Sequence, residues 1–443
     1  MSAKDHRVVT SIAVFAPLAI SLAISLGAME LFSVLSVLWG GVIFLKFRPV
    51  FADNASKRNF LTTMFLAVAF SLFCIAPLLT SAVPEGFVID ALRQSRWMLY
   101  CVCAGLLITQ LGENLHPITQ WSLILGLLVA GSVGLIQAVH GEALAESGSW
   151  LVPQELHFRG MVVRATGFFN LPQAFAGVLG MLALILLPQC LGMDQGTRSD
   201  NTLRSGLALL ATSLGFLCVL ASGTRGAYVA LLCSLISVML IMLKYHLMRG
   251  TLALLLCGLS CVALLGLFLI AFDSFELLGI NAVTADASFQ VRASLTHAYL
   301  AMVSDRPLLG SGLSYSASLL PEYYQKIGAL DADFVGHAHS NYLQALVDGG
   351  VLGLGSYLAL IFCFLRWNVH LFLDAGDQNQ QRLFLGLLAA QLYFHVFGLL
   401  ESNFIDLKVN HTLIFVWGLI IGIGGLRPKL YERGDAVVSE QSR

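Results

Sequence analysis

The chain has 443 residues, 57% of them apolar and 12% charged, against about 45–50% and about 25% in soluble domains. Twenty-five basic and 26 acidic side chains leave a net charge of −1, and the mean hydropathy is +0.80. So few charges cannot cover a soluble protein of this size, and their balance excludes a nucleic-acid binder that works through net charge. The apolar stretches are continuous and lack strand alternation, which argues against a β-barrel. The reading is an all-α polytopic membrane protein.

A spanning helix needs about 20 mostly apolar residues. Twelve stretches qualify in chain order: 10–28, 29–46, 60–80, 97–112, 118–140, 172–192, 205–222, 227–247, 251–273, 350–366, 383–400 and 411–426. The first two nearly touch and predict a tight hairpin. The first carries no small-residue cleavage site, so no removable signal peptide is expected. Nine spans thus fall within 1–273, interrupted by a loop at 141–171. A large loop follows at 274–349, then three spans within 350–426 and a polar tail at 427–443.

Basic residues orient the spans. With both termini in the cytoplasm, sixteen of the 25 lie inside. The nine outside are Arg93, Arg96, Arg159, Arg164, Arg225, Arg292, Arg306, Lys326 and Lys408. Outside Arg runs against the insertion rule and calls for another reason. Arg pairs with phosphate or carboxylate through two parallel hydrogen bonds, which Lys cannot do. The nine cysteines all fall in or beside spans and none in the long outside loops. They read as small packing residues rather than a disulfide framework.

Both long loops lie outside, and the spans are almost free of ionisable groups. A transporter places such groups near mid-depth; here they sit in loops on one face, which favours binding or chemistry at that membrane boundary. In the second loop, residues 288–303 (SFQVRASLTHAYLAMV) place Phe289, Leu295, Tyr299, Met302 and Val303 near helical spacing. Arg292 stands at the edge of that helix. RPLLGSGLSY (306–315) reads as a turn, and 318–329 as a short helix. His337 and His339 precede a helix that starts near Ser340 and is interrupted at Gly349 and Gly350. ASGTRGAYVALL (221–232) puts Arg225 in a glycine-flanked outside turn between two spans.

Four stretches in this order, RATGFFNLPQAFA (164–176), SGTRGAYVALL (222–232), RASLTHAYLAMVSDRPLLGSGLSY (292–315) and HAHSNYLQALVDGGVLGLG (337–355), resemble the O-antigen ligase and polymerase family of bacterial envelope glycosyltransferases. The resemblance covers roughly 160–360. It departs from the family pattern where Ser340 separates His339 from Asn341. The resemblance implies about twelve membrane helices in a GT-C-like architecture with a helical periplasmic loop, in the bacterial inner membrane. It implies transfer of an undecaprenyl-diphosphate-linked glycan: to the lipid A-core oligosaccharide by a ligase, the favoured reading, or between lipid-linked repeat units by a polymerase. A transporter or flippase is the reading from another class.

Loss of a lipid diphosphate develops negative charge, which a divalent metal or Arg and Lys can stabilise. No acidic metal motif stands outside; Asp331 and Asp333 form an isolated DAD. The HxH pair has no third ligand spaced to complete a zinc site. No cofactor or metal is therefore expected. Arg225 and Arg292 are the expected diphosphate ligands. Arg164, Arg159, Arg93 and Arg96 are further candidates for donor or acceptor phosphates, each equally readable as a membrane-surface anchor. The acceptor hydroxyl needs a base near neutral pH: His339 first, His337 second, with one of the two expected to serve structure.

Overall fold

The computed structural model describes residues 3–47, 50–80, 83–146, 158–159, 162–191, 199–247, 287–329, 332 and 336–427. Eleven of the twelve expected spans fall on helices; the stretch 251–273 lies outside the described residues. In chain order the helices are α1 (Ala3–Ile24), α2 (Leu26–Phe47), α3 (Asn54–Thr80), α4 (Glu85–Gln94), α5 (Trp97–Leu111), α6 (Leu115–Glu146), α7 (Pro172–Leu191), α8 (Ser199–Ala221) and α9 (Arg225–Lys244). After the large loop begins, α10 (Ala287–Asp305), α11 (Leu320–Lys326), α12 (Asn341–Leu373), α13 (Gln378–Phe397) and α14 (Leu407–Gly424) follow.

Among the described residues, eight helices are long and apolar enough to cross a membrane. The chain is an all-α polytopic membrane protein. The expected hairpin is present, since a single residue, Ser25, separates α1 from α2. Strand in the described residues is confined to two-residue pairs: β1 (Val50–Phe51) with β4 (Leu426–Arg427), and β2 (Phe158–Arg159) with β3 (Val162–Val163). The first pair ties the foot of α3 to the end of α14, and Ser56 Oγ donates to Gly424 O there at 2.8 Å.

Helices α7 and α14 form the centre and are buried along most of their lengths. α13 packs on α7 and α9, α5 on α14, and α3 on α12. The outward faces carry Leu38, Phe44, Phe65, Leu72 and Phe362 in exposed positions. Exposed apolar surface on this scale suits hydrocarbon, not water.

One end of the bundle, opposite the β1–β4 pair, carries the polar chemistry. There α10 lies across α11 and the first turns of α12, burying Leu295, Tyr299, Met302, Leu320, Tyr323 and Val347 in a small separate core. This is the periodicity read over 288–303. The 306–315 segment docks on a break in α12. Ser311 N–H donates to Val347 O at 2.8 Å and Gly312 N–H to Asp348 O at 2.9 Å, while Val351 N–H donates to Pro307 O at 2.8 Å. The break is at Gly350, with φ 63° and ψ −163°. A Cβ there would lie 2.2 Å from Leu308 C and O. Only glycine permits both the left-handed backbone and the approach of the loop.

Candidate active site

The HAH loop sits at the head of α12. Ser340 caps that helix, its hydroxyl accepting from Leu343 N. Its own N–H donates to Ser402 Oγ at 3.1 Å, and Asn341 N–H donates to Gly398 O at 2.8 Å. The loop is thereby stitched to the segment between α13 and α14, residues 398–406. Asn341, whose family role the inserted Ser340 put in question, accepts Phe404 N–H on its Oδ1 at 2.9 Å. It serves as a second stitch.

That segment brings in Glu401, a residue sequence reasoning did not single out. Glu401 is 6% exposed, and a buried carboxylate persists only when paired and hydrogen-bonded. It has two partners. One oxygen accepts from Arg292 at 2.8 Å; the other meets His339 Nδ1 at 3.0 Å. Burial alone raises the Glu401 pKa. The His339 hydrogen bond and the Arg292 charge outweigh burial and hold it below the usual carboxylate range. Glu401 is therefore ionised at neutral pH and can only accept, so His339 carries its proton on Nδ1. The Nε2 atom is then the basic position of the ring.

His337 stands beside His339, ring centroids 4.8 Å apart. Burial first, then the neighbouring His339, lower its pKa; Glu401 opposes them and Arg292 adds to them. His337 is neutral at neutral pH. His339 has φ 48°, a left-handed backbone that costs a non-glycine residue energy and persists where surroundings over-determine it.

Arg225 opens α9 from the 222–224 turn. Gly223 holds φ 64° there, and a Cβ would meet Arg164 Nε at 3.1 Å. Arg164 braces this turn, donating from Nε to Ser222 O at 2.8 Å and from a terminal nitrogen to Thr224 Oγ1 at 3.2 Å. The next residue, Gly226, packs on Leu400 and Phe397. Arg292 also reaches Leu400 O, at 3.5 Å. The Arg225 turn and the Arg292–Glu401–His339 cluster thus meet on the same 397–401 segment.

The remaining basic residues lie elsewhere. Arg96, at the α4–α5 corner, pairs with Glu30 at 2.7 Å. Arg93 is exposed and pairs with Asp90 one turn away. Arg159 lies in β2; the backbone places it in the 158–163 hairpin. Lys408 donates to Phe168 O at 2.6 Å and lies over the Phe169 ring, tying the 164–171 segment to α14.

His337, His339 and Glu401 also place one potential metal-ligand atom each within 4.8 Å of one another. The third donor that sequence spacing did not supply is Glu401, 62 positions after His339. Two histidines and a glutamate can hold a divalent cation. Here both carboxylate oxygens already face donors, and the Arg292 guanidinium brings positive charge to the same spot. The cluster is arranged first as a hydrogen-bonded acid–base pair. Seven cysteines are free thiols among the described residues, in line with a packing role.

Residues 210–358 match the family model described as O-Antigen ligase. The match takes in the second half of α8, then α9, α10, α11 and the first half of α12, and therefore Arg225, Arg292, His337 and His339. No curated protein matches the chain. This domain, about a third of the chain, supports the resemblance to the O-antigen ligase and polymerase family.

Proposed function

We propose that this protein is an O-antigen ligase. It transfers a glycan from undecaprenyl diphosphate to the lipid A-core oligosaccharide, on the periplasmic face of the inner membrane. Both termini lie in the cytoplasm. The observation that carries the reading is Glu401, which joins a cation and an imidazole in one cluster beside a second arginine turn. That arrangement suits a reaction in which an anion departs while a hydroxyl loses its proton.

In the proposed step, the acceptor hydroxyl oxygen attacks the anomeric carbon of the donor. The bond from that carbon to the diphosphate oxygen breaks, and its electron pair leaves with the diphosphate. The hydroxyl proton passes to His339 Nε2. Direct attack inverts the anomeric centre and requires no covalent glycosyl-enzyme. Arg292 and Arg225 stabilise the departing diphosphate, and Glu401 stabilises the imidazolium that forms. Arg164 acts through the turn it braces. Arg93, Arg96 and Arg159 are assigned to phosphates of lipid headgroups or of the acceptor. His337 packs beside His339 as its structural neighbour. In this reading residues 1–273, with the periplasmic loop 141–171, and residues 350–426 are assigned to the membrane, 274–349 to the large periplasmic loop and 427–443 to a cytoplasmic tail.

Deletion of the gene tests the assignment. Long glycan chains accumulating on the lipid carrier are the expected result. A single repeat unit on the lipid A-core identifies a polymerase instead, and unchanged envelope glycans overturn the enzyme reading. In the deletion strain, Arg225→Ala, Arg292→Ala and His339→Ala proteins should insert normally and fail to restore transfer.

A further inference from the structure

On the face of the HAH loop away from Glu401 lies a second, fully interior polar network. Ala338 N–H donates to Gln344 Oε1 at 2.8 Å. Gln344 Nε2 donates to Asp348 Oδ2 at 2.9 Å and approaches Ser316 Oγ at 3.3 Å. Ser316 Oγ in turn donates to Asp348 Oδ1 at 2.6 Å. All three side chains are buried: Gln344 6%, Asp348 2% and Ser316 0% exposed.

The orientation of the Gln344 amide follows from the backbone: the Ala338 N–H can only donate, so the amide oxygen faces the loop and its NH₂ faces Asp348 Oδ2. Residues 344 and 348 lie one helical turn apart, so the two side chains share a face of α12. Ser316 is delivered by the 306–315 segment, itself docked through Gly312 N–H on the Asp348 carbonyl. The network therefore ends on one atom of the loop, the Ala338 N–H, between the two histidines. Residue 339 is the one that adopts the left-handed backbone. A strained turn needs fixed hydrogen bonds on both sides. Ser402 supplies one through Ser340 N–H, and Gln344 supplies the other.

We propose that Asp348, Gln344 and Ser316 form a positioning relay that holds the HAH loop so that the His339 imidazole faces Glu401. Asp348 holds the Gln344 amide, and Gln344 holds the loop. None of the three touches the reacting groups. The inference rests on the reading of His339 as the base.

The experiment uses full-length protein in nanodiscs, lipid-linked glycan extracted from the deletion strain and core lipopolysaccharide as acceptor. Gln344→Leu removes the loop contact. Its kcat should fall about 10- to 100-fold, the scale of a small misplacement of a catalytic group, with KM for either substrate unchanged. Diethyl pyrocarbonate labelling of His339, mapped by mass spectrometry, should rise at the same time. Gln344→Glu supplies the second test. A protonated carboxyl group introduced at position 344 can donate to Asp348 and still accept from Ala338; two ionised carboxylates repel. Cys74 of α3 and Tyr299 of α10 also face Asp348. Transfer by Gln344→Glu should therefore fall as pH rises across a range in which wild-type transfer does not.

Wild-type kcat and labelling in folded Gln344→Leu overturn the relay, as does a Gln344→Glu pH profile that follows wild type. The underlying reading fails separately. If His339→Ala retains transfer while Gln344→Leu still raises labelling, the relay stands as loop geometry and its catalytic purpose is refuted.

Discussion

Glu401→Gln is the most demanding test of the proposed chemistry, because it preserves shape and removes one charge. The wild-type carboxylate accepts from Arg292 at 2.8 Å and from His339 Nδ1 at 3.0 Å. An amide can accept on only one side. If its NH₂ faces the imidazole, His339 must move its proton to Nε2 and loses the basic position that the reaction needs. If its NH₂ faces Arg292, two donors oppose each other. The electrostatic loss adds to this. A full imidazolium about 4 Å from the carboxylate centre gains about 4 kcal/mol at an effective dielectric of about 20. With half to all of that charge developed in the transition state, the loss is about 2–4 kcal/mol, or roughly 30- to 1,000-fold in kcat. The assay is transfer of extracted lipid-linked glycan to core lipopolysaccharide by protein in nanodiscs, with insertion checked in parallel. A kcat within about threefold of wild type would refute the role of Glu401, since no repacking of an amide restores a charge.

Four further outcomes can be measured on the same preparations. Glu401 has a pKa below the ordinary carboxylate value, so its pairing stabilises the fold above that ordinary value and is lost as pH falls through the depressed one. The gap in thermal midpoint between wild type and Glu401→Gln should be full at neutral pH and close in acid; a gap independent of pH speaks against the ion pair. Arg164→Ala should raise the KM for the lipid-linked donor by loosening the Arg225 turn, and Arg164→Lys should not rescue it, because one ammonium cannot match the forked contacts to Ser222 and Thr224; a fully active Arg164→Ala protein defeats the bracing role. Gly350→Ala should destabilise by at least about 1–3 kcal/mol, seen as a lowered melting temperature, because its Cβ meets backbone atoms of Leu308 at 2.2 Å; an unchanged melting temperature would mean the docked loop can move away. Strong chelator should leave transfer intact, and loss restored by Mg²⁺, Mn²⁺ or Zn²⁺ would convert the His337–His339–Glu401 group into a metal site.

The parts of this molecule legible in sequence are those set by local pattern. Length and hydropathy mark the spans, and the helical period of Leu295, Tyr299 and Met302 marks α10. Ser340 before an apolar run marks a helix start, and Gly349–Gly350 marks the break at which the 306–315 segment docks. Arg225, Arg292 and His339 emerged from sorting basic groups by side and from motif order. Glu401 did not, and the reason is physical. It stands 62 positions from His339 and 109 from Arg292, in a short connection whose neighbours say nothing of its partners. The missing signal was the converse of the one used. In a chain with 26 acids, an acid at the mouth of the bundle beside surplus arginines needs a cation as much as the arginines need an anion. The same reasoning finds Glu30, which Arg96 pairs with at 2.7 Å. Arg96 drawn to a protein carboxylate and Arg292 shared between Glu401 and the outside are chemically the same bond. What separates them is the imidazole on the far side of Glu401, so the acid is the distinguishing residue of the proposed site, and its substitution should cost more than that of Arg96 or Arg93, whose carboxylate partners meet no imidazole of the cluster.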